Sequence, residues 1–172
     1  MTNNEKSSLH IFWHKIKPEA IIPTKRDEDA GYDIYTVEDN VIVDKFSKHL
    51  FSTGLQYFIK EKNYYLQAQD RGSTGSKGIH IHCGVCDNGY RGEIFICLSN
   101  DNDFPITFKR GKSGYDEQTK MFYYDINKAI AQLIPLEMPL VNAQEVDDDK
   151  WNELLENDSS ERKDTKLGQS GK

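Results

Sequence analysis

The residues best placed to do chemistry lie in the segment Gly84–Glu93, with the sequence GVCDNGYRGE. Its Asn88-Gly89 pair stands between two β-rich runs, which is a strong local signal for a tight hairpin. With these two as the turn residues, Asp87 and Tyr90 face each other across the base of the hairpin. A general base needs such a rigid placement, because it must first lie within reach of the proton that it removes, and only then does its pKa matter. The segment therefore predicts a carboxylate and an aromatic hydroxyl that project from one platform.

A second candidate is the loop Arg71–Gly78, with the sequence RGSTGSKG. Its three glycines, three hydroxyl side chains and two cations can offer backbone N–H groups, hydroxyl donors and a guanidinium to phosphate oxygens. The P-loop pattern GxxxxGK[ST] is absent. Composition alone leaves two alternatives open, a phosphate-binding loop and a flexible surface loop.

Two predicted strands each carry one polar residue of interest. Asp33 lies in the run Asp29–Tyr35, and it would point to the opposite face of the strand from its apolar neighbours. The simpler alternative is an ordinary strand with one solvated aspartate. Gln132 interrupts the apolar run Ala129–Ile134. An amide in such a run is expected to form a hydrogen bond, either to backbone or to a ligand.

The cysteines allow a different hypothesis, a zinc or redox site. Cys83 and Cys86 form a CxxC that follows His80 and His82, and Cys97 is the third cysteine. Successive strand residues point to opposite faces, so the two histidines and the two cysteines of the CxxC do not converge easily on one ion. No second CxxC or HxxxH supplies further ligands. The sequence therefore favours strand residues, and the odd count favours reduced thiols in a cytoplasm-like compartment.

Bulk properties limit the class of protein. The chain has 172 residues and a formal net charge of −6, and 37% of its residues are hydrophobic. No apolar run approaches the ~20 residues that span a membrane. The N-terminus MTNNEKSSLHIFW lacks the pattern of a secretory signal. We therefore expect a cytoplasmic protein that binds neither membranes nor nucleic acid broadly, while a small polyanion needs only local positive charge.

The pattern of apolar residues predicts an all-β fold. Ten short β-type runs separated by turns are typical of a sandwich or barrel. They are Leu9–Trp13, Gly31–Val37, Asn40–Val43, Leu55–Ile59, Tyr64–Ala68, Ile79–Val85, Ile94–Leu98, Ile106–Lys109, Met121–Tyr124 and Ala129–Leu136. One short helix is predicted at Asp148–Glu156, with Trp151, Leu154 and Leu155 on one face. The polar tail after it would be disordered by itself.

In this order, the motifs resemble those of the trimeric dUTPase family over about Ile22 to Gly171. DAGYDIY looks like motif one, RGSTGSKGI like motif two, GVCDNGYRGEI like motif three and IAQLI like motif four. The tail RKDTKLGQSG falls in register with motif five, usually RGxGGFGSTG. Motif three, usually close to GVIDxxYRGE, is the most specific of these matches.

The resemblance implies a β jelly-roll that assembles as a homotrimer with active sites between subunits. It implies the hydrolysis of dUTP to dUMP and pyrophosphate with Mg²⁺, which limits uracil in DNA and supplies dUMP for dTTP synthesis. It also implies a domain of residues 1–156 and a flexible arm of residues 157–172. Residues 99–128 depart from the compact family pattern, and we expect this surface insert to be an elongated hairpin. A long segment at 99–128 is similar to phage-type members, so a phage-infected or bacterial cytoplasm is the expected location.

The resemblance further implies roles for individual residues. Asp87 would activate the attacking water, and Tyr90 would pack against the deoxyribose. Backbone at Gly84 and Val85 would contact the uracil edge. The residues expected to hold phosphates or close over the substrate are Arg71, Gly72, Ser73, Gln132, Arg162, Leu167, Gln169 and Ser170. Asp33 would lie near the water shell of Mg²⁺, and no residue is expected to be a direct metal ligand.

Several positions depart from the family pattern. Leu167 stands where an aromatic usually stacks on uracil, Gly72 replaces a serine, and Ala129 stands where motif four usually has arginine. These departures and the long segment motivate an alternative, a regulator that binds a protein partner through residues 99–128 and has weak catalysis. A dCTP deaminase on the same fold is a further alternative, although the DxxY pattern favours dUTPase.

Overall fold

The structure of this protein, a computed structural model, describes residues 8–82 and 84–159. Among the predicted site residues, Arg162, Leu167, Gln169 and Ser170 lie outside the described residues, as does Cys83. The chain divides into two compact units between Pro139 and Leu140. The domain boundary expected after residue 156 stays a prediction.

The architecture is all-β, as predicted, with thirteen strands and two short helices in the described part of the chain. The strands are β1 Ile11–Lys15, β2 Tyr32–Ile34, β3 Val41–Val43, β4 Ser47–Ser52, β5 Leu55–Ile59, β6 Tyr64–Gln69, β7 Ile79–His82, β8 Val85–Cys86, β9 Phe95–Asn100, β10 Ile106–Phe108, β11 Gly114–Asp116, β12 Met121–Tyr124 and β13 Ala131–Glu137. The helices are α1 Gly72–Gly75 and α2 Asp148–Glu156. The sequence patterns did not predict β4, β11 or α1. The single predicted strand Ile79–Val85 is divided between β7 and β8, which lie in different sheets.

Four sheets form from these strands, and their orders are β1-β5, β11-β12-β10-β3, β2-β13-β6-β8 and β4-β9-β7. The sheet β2-β13-β6-β8 is the most important for the site, because it carries Asp33, Gln132 and Val85 on three of its strands. Asp33 lies opposite Gln132, which lies opposite Gln69 on the next strand. This register sets the spacing of the candidate side chains.

The core contains fully buried side chains from all four sheets. Phe108 lies 4.6 Å from Phe51 and 5.3 Å from Tyr124, measured between ring centroids. Ile106, Phe108 and Tyr124 are at most 2% exposed. The prediction that residues 99–128 form a surface insert is therefore wrong for these parts of the segment. They belong to the core because β10 pairs with β3 and β12 pairs with β10.

The predicted turn at Asn88-Gly89 is present, but it does not join a hairpin. The Tyr90 amide donates to the Asp87 carbonyl at 2.9 Å. However, β8 pairs with β6, whereas β9 pairs with β4 and β7. The two-residue hairpin turn signalled by Asn-Gly requires positive φ, and the described glycines with positive φ lie elsewhere in the chain. The chain therefore passes from one sheet to another at this turn.

The second unit contains helix α2 with the predicted bounds. Asp147 caps it, since its carboxylate accepts a hydrogen bond from the Lys150 amide at 2.8 Å. Trp151, Leu154 and Leu155 are 48–54% exposed. Among the described residues, no helix has the length and apolar character needed to cross a membrane.

Candidate active site

All predicted site residues that the structure describes, except Gly84, line one of two separate clefts. The first cleft has a volume of about 670 Å³, and its lining includes Asp33, Arg71, Gly72, Ser73 and Gln132. The second has a volume of about 200 Å³, and its lining includes Val85, Asp87 and Tyr90. No lining residue is common to the two clefts. Along the sheet, β2 and β8 are three strands apart, or about 14 Å.

Arg71 and Asp33 form a two-pronged ion pair in the first cleft. Nε of Arg71 lies 2.9 Å from Oδ1 of Asp33, and Nη2 donates to Oδ2 at 3.1 Å. Nη1 of the same arginine donates to the Ala129 carbonyl at 3.3 Å and approaches Oγ of Ser73 at 3.4 Å. The guanidinium therefore connects three parts of the chain, and its direction into the cleft is fixed.

The segment that carries Arg71 is ordered by its own hydrogen bonds. The buried Thr74 hydroxyl donates to the Arg71 carbonyl at 2.9 Å and accepts from the Arg71 amide at 3.1 Å. The Gly75 amide also donates to the Arg71 carbonyl at 2.9 Å. Part of this segment, Gly72–Gly75, therefore forms the short helix α1 and is not an irregular loop. Gly72 and Ser73 are exposed at its beginning.

Gln132 ties strand β13 to the beginning of this segment. Its Nε2 donates to the Asp70 carbonyl at 2.8 Å, so the predicted hydrogen bond is confirmed, and its partner is backbone. An amide nitrogen has two donors, so one remains for a ligand. A Cβ on Gly31 would lie only 2.9 Å from Oε1 of Gln132. Gly31 therefore leaves the space that this amide occupies.

The sequence analysis missed two cations of the first cleft, Lys25 and Arg26. Arg26 forms a two-pronged pair with Asp29, with both N···O distances 2.9 Å. This pairing raises the pKa of Arg26 and lowers that of Asp29. The charge-rich run TKRDED before motif one was the available signal.

The turn that carries Asp87 is held in place by hydrogen bonds from Tyr57 and to residues 61 and 64. The Asp87 carbonyl accepts hydrogen bonds from the Tyr57 hydroxyl at 2.5 Å and from the Tyr90 amide at 2.9 Å. Burial raises the pKa of Tyr57, which keeps its hydroxyl protonated as a donor. Nδ2 of Asn88 donates to the carbonyls of Glu61 and Tyr64 at 2.9 and 2.8 Å. The exposed Asp87 side chain thus projects from a fixed backbone.

Tyr90 is held in one orientation by its own turn. Its hydroxyl donates to the Glu93 carbonyl at 2.8 Å, and its side chain stays 43% exposed. A Cβ on Gly92 would lie 2.5 Å from this hydroxyl oxygen and 2.7 Å from Cζ of the ring. The close contact of Tyr90 with Gly92 therefore requires glycine at residue 92.

Gly84 and Val85 form the edge next to Asp87. The Ala68 amide donates to the Gly84 carbonyl at 2.6 Å. A Cβ on Gly84 would lie 2.5 Å from Nε2 of Gln67 and 2.8 Å from the Ala68 carbonyl oxygen. The Val85 side chain is 59% exposed. This edge therefore offers an exposed apolar side chain and closely packed backbone.

The redox and zinc alternative depends on Cys83, which lies outside the described residues, and on Cys86. Burial raises the pKa of the Cys86 thiol from 9.0 to about 11, so it is a poor nucleophile and metal ligand at neutral pH. Nδ1 of His80 lies 2.9 Å from Oδ2 of Asp70. Within residues 8–82 and 84–159, no three His, Cys, Asp or Glu side chains group as a metal site.

The fold is all-β, and the first cleft carries three cationic side chains. Comparison with known proteins identifies the family. A model of the dUTPase family matches residues 17–113, which is more than half of the chain. The chain therefore belongs to the dUTPase family. It is 36% identical over 101 residues to the probable deoxyuridine 5'-triphosphate nucleotidohydrolase of Schizosaccharomyces pombe, covering 57% of this chain and 71% of that protein.

A further relative and two solved structures also carry dUTPase or deoxyuridine 5'-triphosphate nucleotidohydrolase names. The deoxyuridine 5'-triphosphate nucleotidohydrolase of Paramecium bursaria Chlorella virus 1 is 34% identical over 98 residues, covering 56% of this chain and 69% of the relative. The Staphylococcus bacteriophage 80alpha dUTPase with dUPNHPP superposes with a TM-score of 0.71 at 21% identity, covering 96% and 99% of the two chains. The dUTPase from phage phi11 of S. aureus gives 0.64 at 22%, covering 81% and 97%. At these identities the structures establish the shared fold.

Proposed function

We propose that this protein hydrolyses dUTP to dUMP and pyrophosphate, which limits uracil in DNA and supplies dUMP for dTTP synthesis. Family membership and the nucleotidohydrolase names of the relatives support this activity. The observation that carries the proposal is the exposed Asp87 carboxylate on a turn whose backbone is anchored by Tyr57 and Asn88. This placement supports the proposal, because a general base has to be held rigidly where it can reach the attacking water.

The active site of the proposal is completed by more than one copy of the chain. Asp87 and Arg71 line different clefts, yet the reaction needs a base and phosphate-binding groups at the same substrate. Apposition of the second cleft of one subunit with the first cleft of another would bring them together. We therefore propose the homotrimer that the family resemblance implies.

The proposed reaction is an in-line displacement at the α-phosphorus. Asp87 accepts a proton from water as the water oxygen bonds to the α-phosphorus. The bond from that phosphorus to the bridging oxygen of the β-phosphate breaks, and pyrophosphate leaves with the electron pair. Arg71, Ser73 and Gln132 would stabilise the charge that develops on the phosphate oxygens, because their donors are oriented in advance.

Selectivity for deoxyuridine is assigned to the second cleft. The ring of Tyr90, fixed by Glu93 and Gly92, would pack against the sugar and exclude a 2′-hydroxyl. Backbone at Gly84 and Val85 would contact the uracil edge. Tight packing of the base against this backbone would exclude the methyl group of thymine.

The first cleft suits a Mg²⁺ ion that arrives with the triphosphate. Mg²⁺ is usually held by one or two carboxylates, substrate phosphates and water. Asp33 would face its water shell, and we propose no direct protein ligand. When bound, the ion would neutralise phosphate charge during the reaction.

The C-terminal residues complete the proposal. Residues 1–156 would form the catalytic domain, and residues 157–172 an arm that closes over the site. Arg162, Leu167, Gln169 and Ser170 would contact the substrate on closure and exclude water.

A nucleotide panel tests this function most directly. The full chain with Mg²⁺ should release pyrophosphate from dUTP, and much less from dCTP, dTTP and UTP. A chain truncated before residue 157 should retain the fold and lose most turnover. Absence of turnover on dUTP, or release of ammonia from dCTP, would overturn the proposal.

A second candidate function is partner binding through the hairpin β11–β12. Tyr115 is 55% exposed on β11, which is an edge strand, and exposed tyrosines are common anchors at interfaces. Because Phe108 and Tyr124 pack in the core, removing the whole segment would damage the fold. Tyr115→Ala is therefore the better variant. It should abolish capture of a partner by the immobilised chain while dUTP turnover is unchanged; identical capture by both chains would exclude this function.

A further inference from the structure

Lys25 lines the first cleft and has no role in the function proposed above. The charged residues of that lining are Lys25, Arg26, Asp29, Asp33 and Arg71. Three cations therefore face two carboxylates. The cleft carries one excess positive charge, which is the sign that a phosphate-bearing ligand requires.

Both arginines of the cleft are already paired. Arg26 contacts both carboxylate oxygens of Asp29 at 2.9 Å. Arg71 contacts both oxygens of Asp33 at 2.9 and 3.1 Å. Each of these pairs is neutral as a unit, so the excess charge of the cleft resides on Lys25.

The ammonium of Lys25 is held by weak contacts that a ligand can replace. Nζ donates to the backbone carbonyls of Arg26 and Asp27 at 3.1 and 3.5 Å, and it lies 5.8 Å from the centroid of the Tyr32 ring. Among the residues that the structure describes, Lys25 is in no ion pair, because Asp29 and Asp33 are paired with the two arginines. Its charge acts on Asp29 at longer range and helps to lower the pKa of that carboxyl. An ammonium carries three donors, so it can turn to an anion at little cost.

The backbone next to Lys25 is anchored beside Asp33. Thr24 and Asp33 form an isolated antiparallel bridge, in which the Asp33 amide donates to the Thr24 carbonyl at 2.9 Å. Lys25 follows Thr24 directly, so its Cα is fixed at the wall of the cleft. Its side chain is exposed there, whereas that of Arg71 is partly buried.

We propose that Lys25 binds the terminal phosphate group of the substrate and, after cleavage, the pyrophosphate product. The nucleotide part of this inference rests on the proposed function, whereas polyphosphate binding follows from the charges of the cleft. Arg71 and Ser73 would contact the phosphates nearer the attacked phosphorus, and Lys25 the one furthest from it. A lysine can bind phosphate as a point charge without the planar geometry that arginine uses.

Isothermal titration calorimetry of the full chain with inorganic triphosphate and Mg²⁺ tests the proposal. Lys25→Ala should weaken binding about tenfold, as expected for one charge-assisted contact at an exposed site. Lys25→Arg should stay close to wild type, and so should Lys62→Ala, an exposed lysine outside the lining of both clefts. Unchanged affinity in Lys25→Ala, or no binding by the wild type, would overturn the proposal.

Kinetics separate this inference from the proposed function. Lys25→Ala should raise KM for dUTP and the inhibition constant of pyrophosphate, and leave kcat and inhibition by dUMP unchanged. If the wild type hydrolyses dUTP but Lys25→Ala has normal KM and pyrophosphate inhibition, the proposed role of Lys25 is refuted and the hydrolase function stands. If the wild type has no turnover, the hydrolase function fails, and the calorimetry still decides the role of Lys25.

Discussion

Arg71 and Asp33 form a two-pronged ion pair, with Nε 2.9 Å from Oδ1 and Nη2 3.1 Å from Oδ2, although the two residues lie 38 positions apart in the sequence. The contact joins strand β2 to the segment that forms helix α1. It orients the guanidinium in the free protein, so little ordering remains for the moment of ligand binding. A planar fork is essential to this arrangement.

We therefore expect Arg71→Lys to lower kcat/KM for dUTP by at least about tenfold, because an ammonium cannot replace a two-pronged contact. Steady-state kinetics would measure the change. Arg110→Lys is a suitable control, since Arg110 bonds to Asn127 and does not line either cleft. Wild-type kinetics in Arg71→Lys would contradict the assigned role.

Asp87→Asn should reduce turnover about 10³-fold, the range expected for loss of a general base. The fold should not change, because the side chain is exposed and the turn is held through backbone groups. Pyrophosphate release and the thermal midpoint measure the two effects separately. A variant that retains more than a tenth of the activity would show that another group activates the water.

The turn offers a matched pair of glycine variants. Gly92→Ala should displace the Tyr90 ring, since the new Cβ would lie 2.5 Å from its hydroxyl oxygen. Gly89→Ala has open space around it and serves as the control. We expect Gly92→Ala alone to narrow the preference for dUTP over UTP. If both variants prefer dUTP over UTP to the same degree, Tyr90 is not the residue that distinguishes deoxyribose from ribose.

Gly84→Ala should destabilise the protein by about 1–3 kcal/mol, the usual cost of overpacking. The clash includes the Ala68 carbonyl oxygen at 2.8 Å, which belongs to strand β6 and cannot move independently. Gly72→Ala is the control for stability, because no atom lies within 4 Å of the position that its new Cβ would take. Denaturant unfolding of both variants measures the difference, and equal midpoints would contradict the packing described here.

Alkaline pH should destabilise the protein partly through Cys86. Burial raises the pKa of this thiol from 9.0 to about 11, so the unfolded chain loses the proton at lower pH than the folded chain. The stabilisation associated with the neutral thiol is complete below pH 9 and is lost as pH rises towards 11. The free energy of unfolding of Cys86→Ala should therefore fall less steeply with pH across this window than that of the wild type. Parallel curves would show that the thiol titrates normally.

Much of the secondary structure of this protein can be predicted from the local sequence. The alternating apolar runs predicted most of the strands, and the acidic first turn after Asp147 predicted helix α2 with its observed bounds. These features depend on residues that are neighbours in the chain. Strands β4 and β11 were missed because their short or polar sequences become strands only by pairing with β9 and β12.

The sequence by itself determined the chemical groups: the Asp87 carboxylate and Tyr90 hydroxyl on one turn, the Arg71 guanidinium on another, and the family motifs in order. Only the tertiary structure decided that these groups occupy two clefts, that Asp33 pairs with Arg71, and that Lys25 is left as the excess cation of the first cleft. The reason is physical. Sheet order and ion pairing arise from contacts between residues far apart in the chain, and no local pattern of residue types specifies which of them will meet.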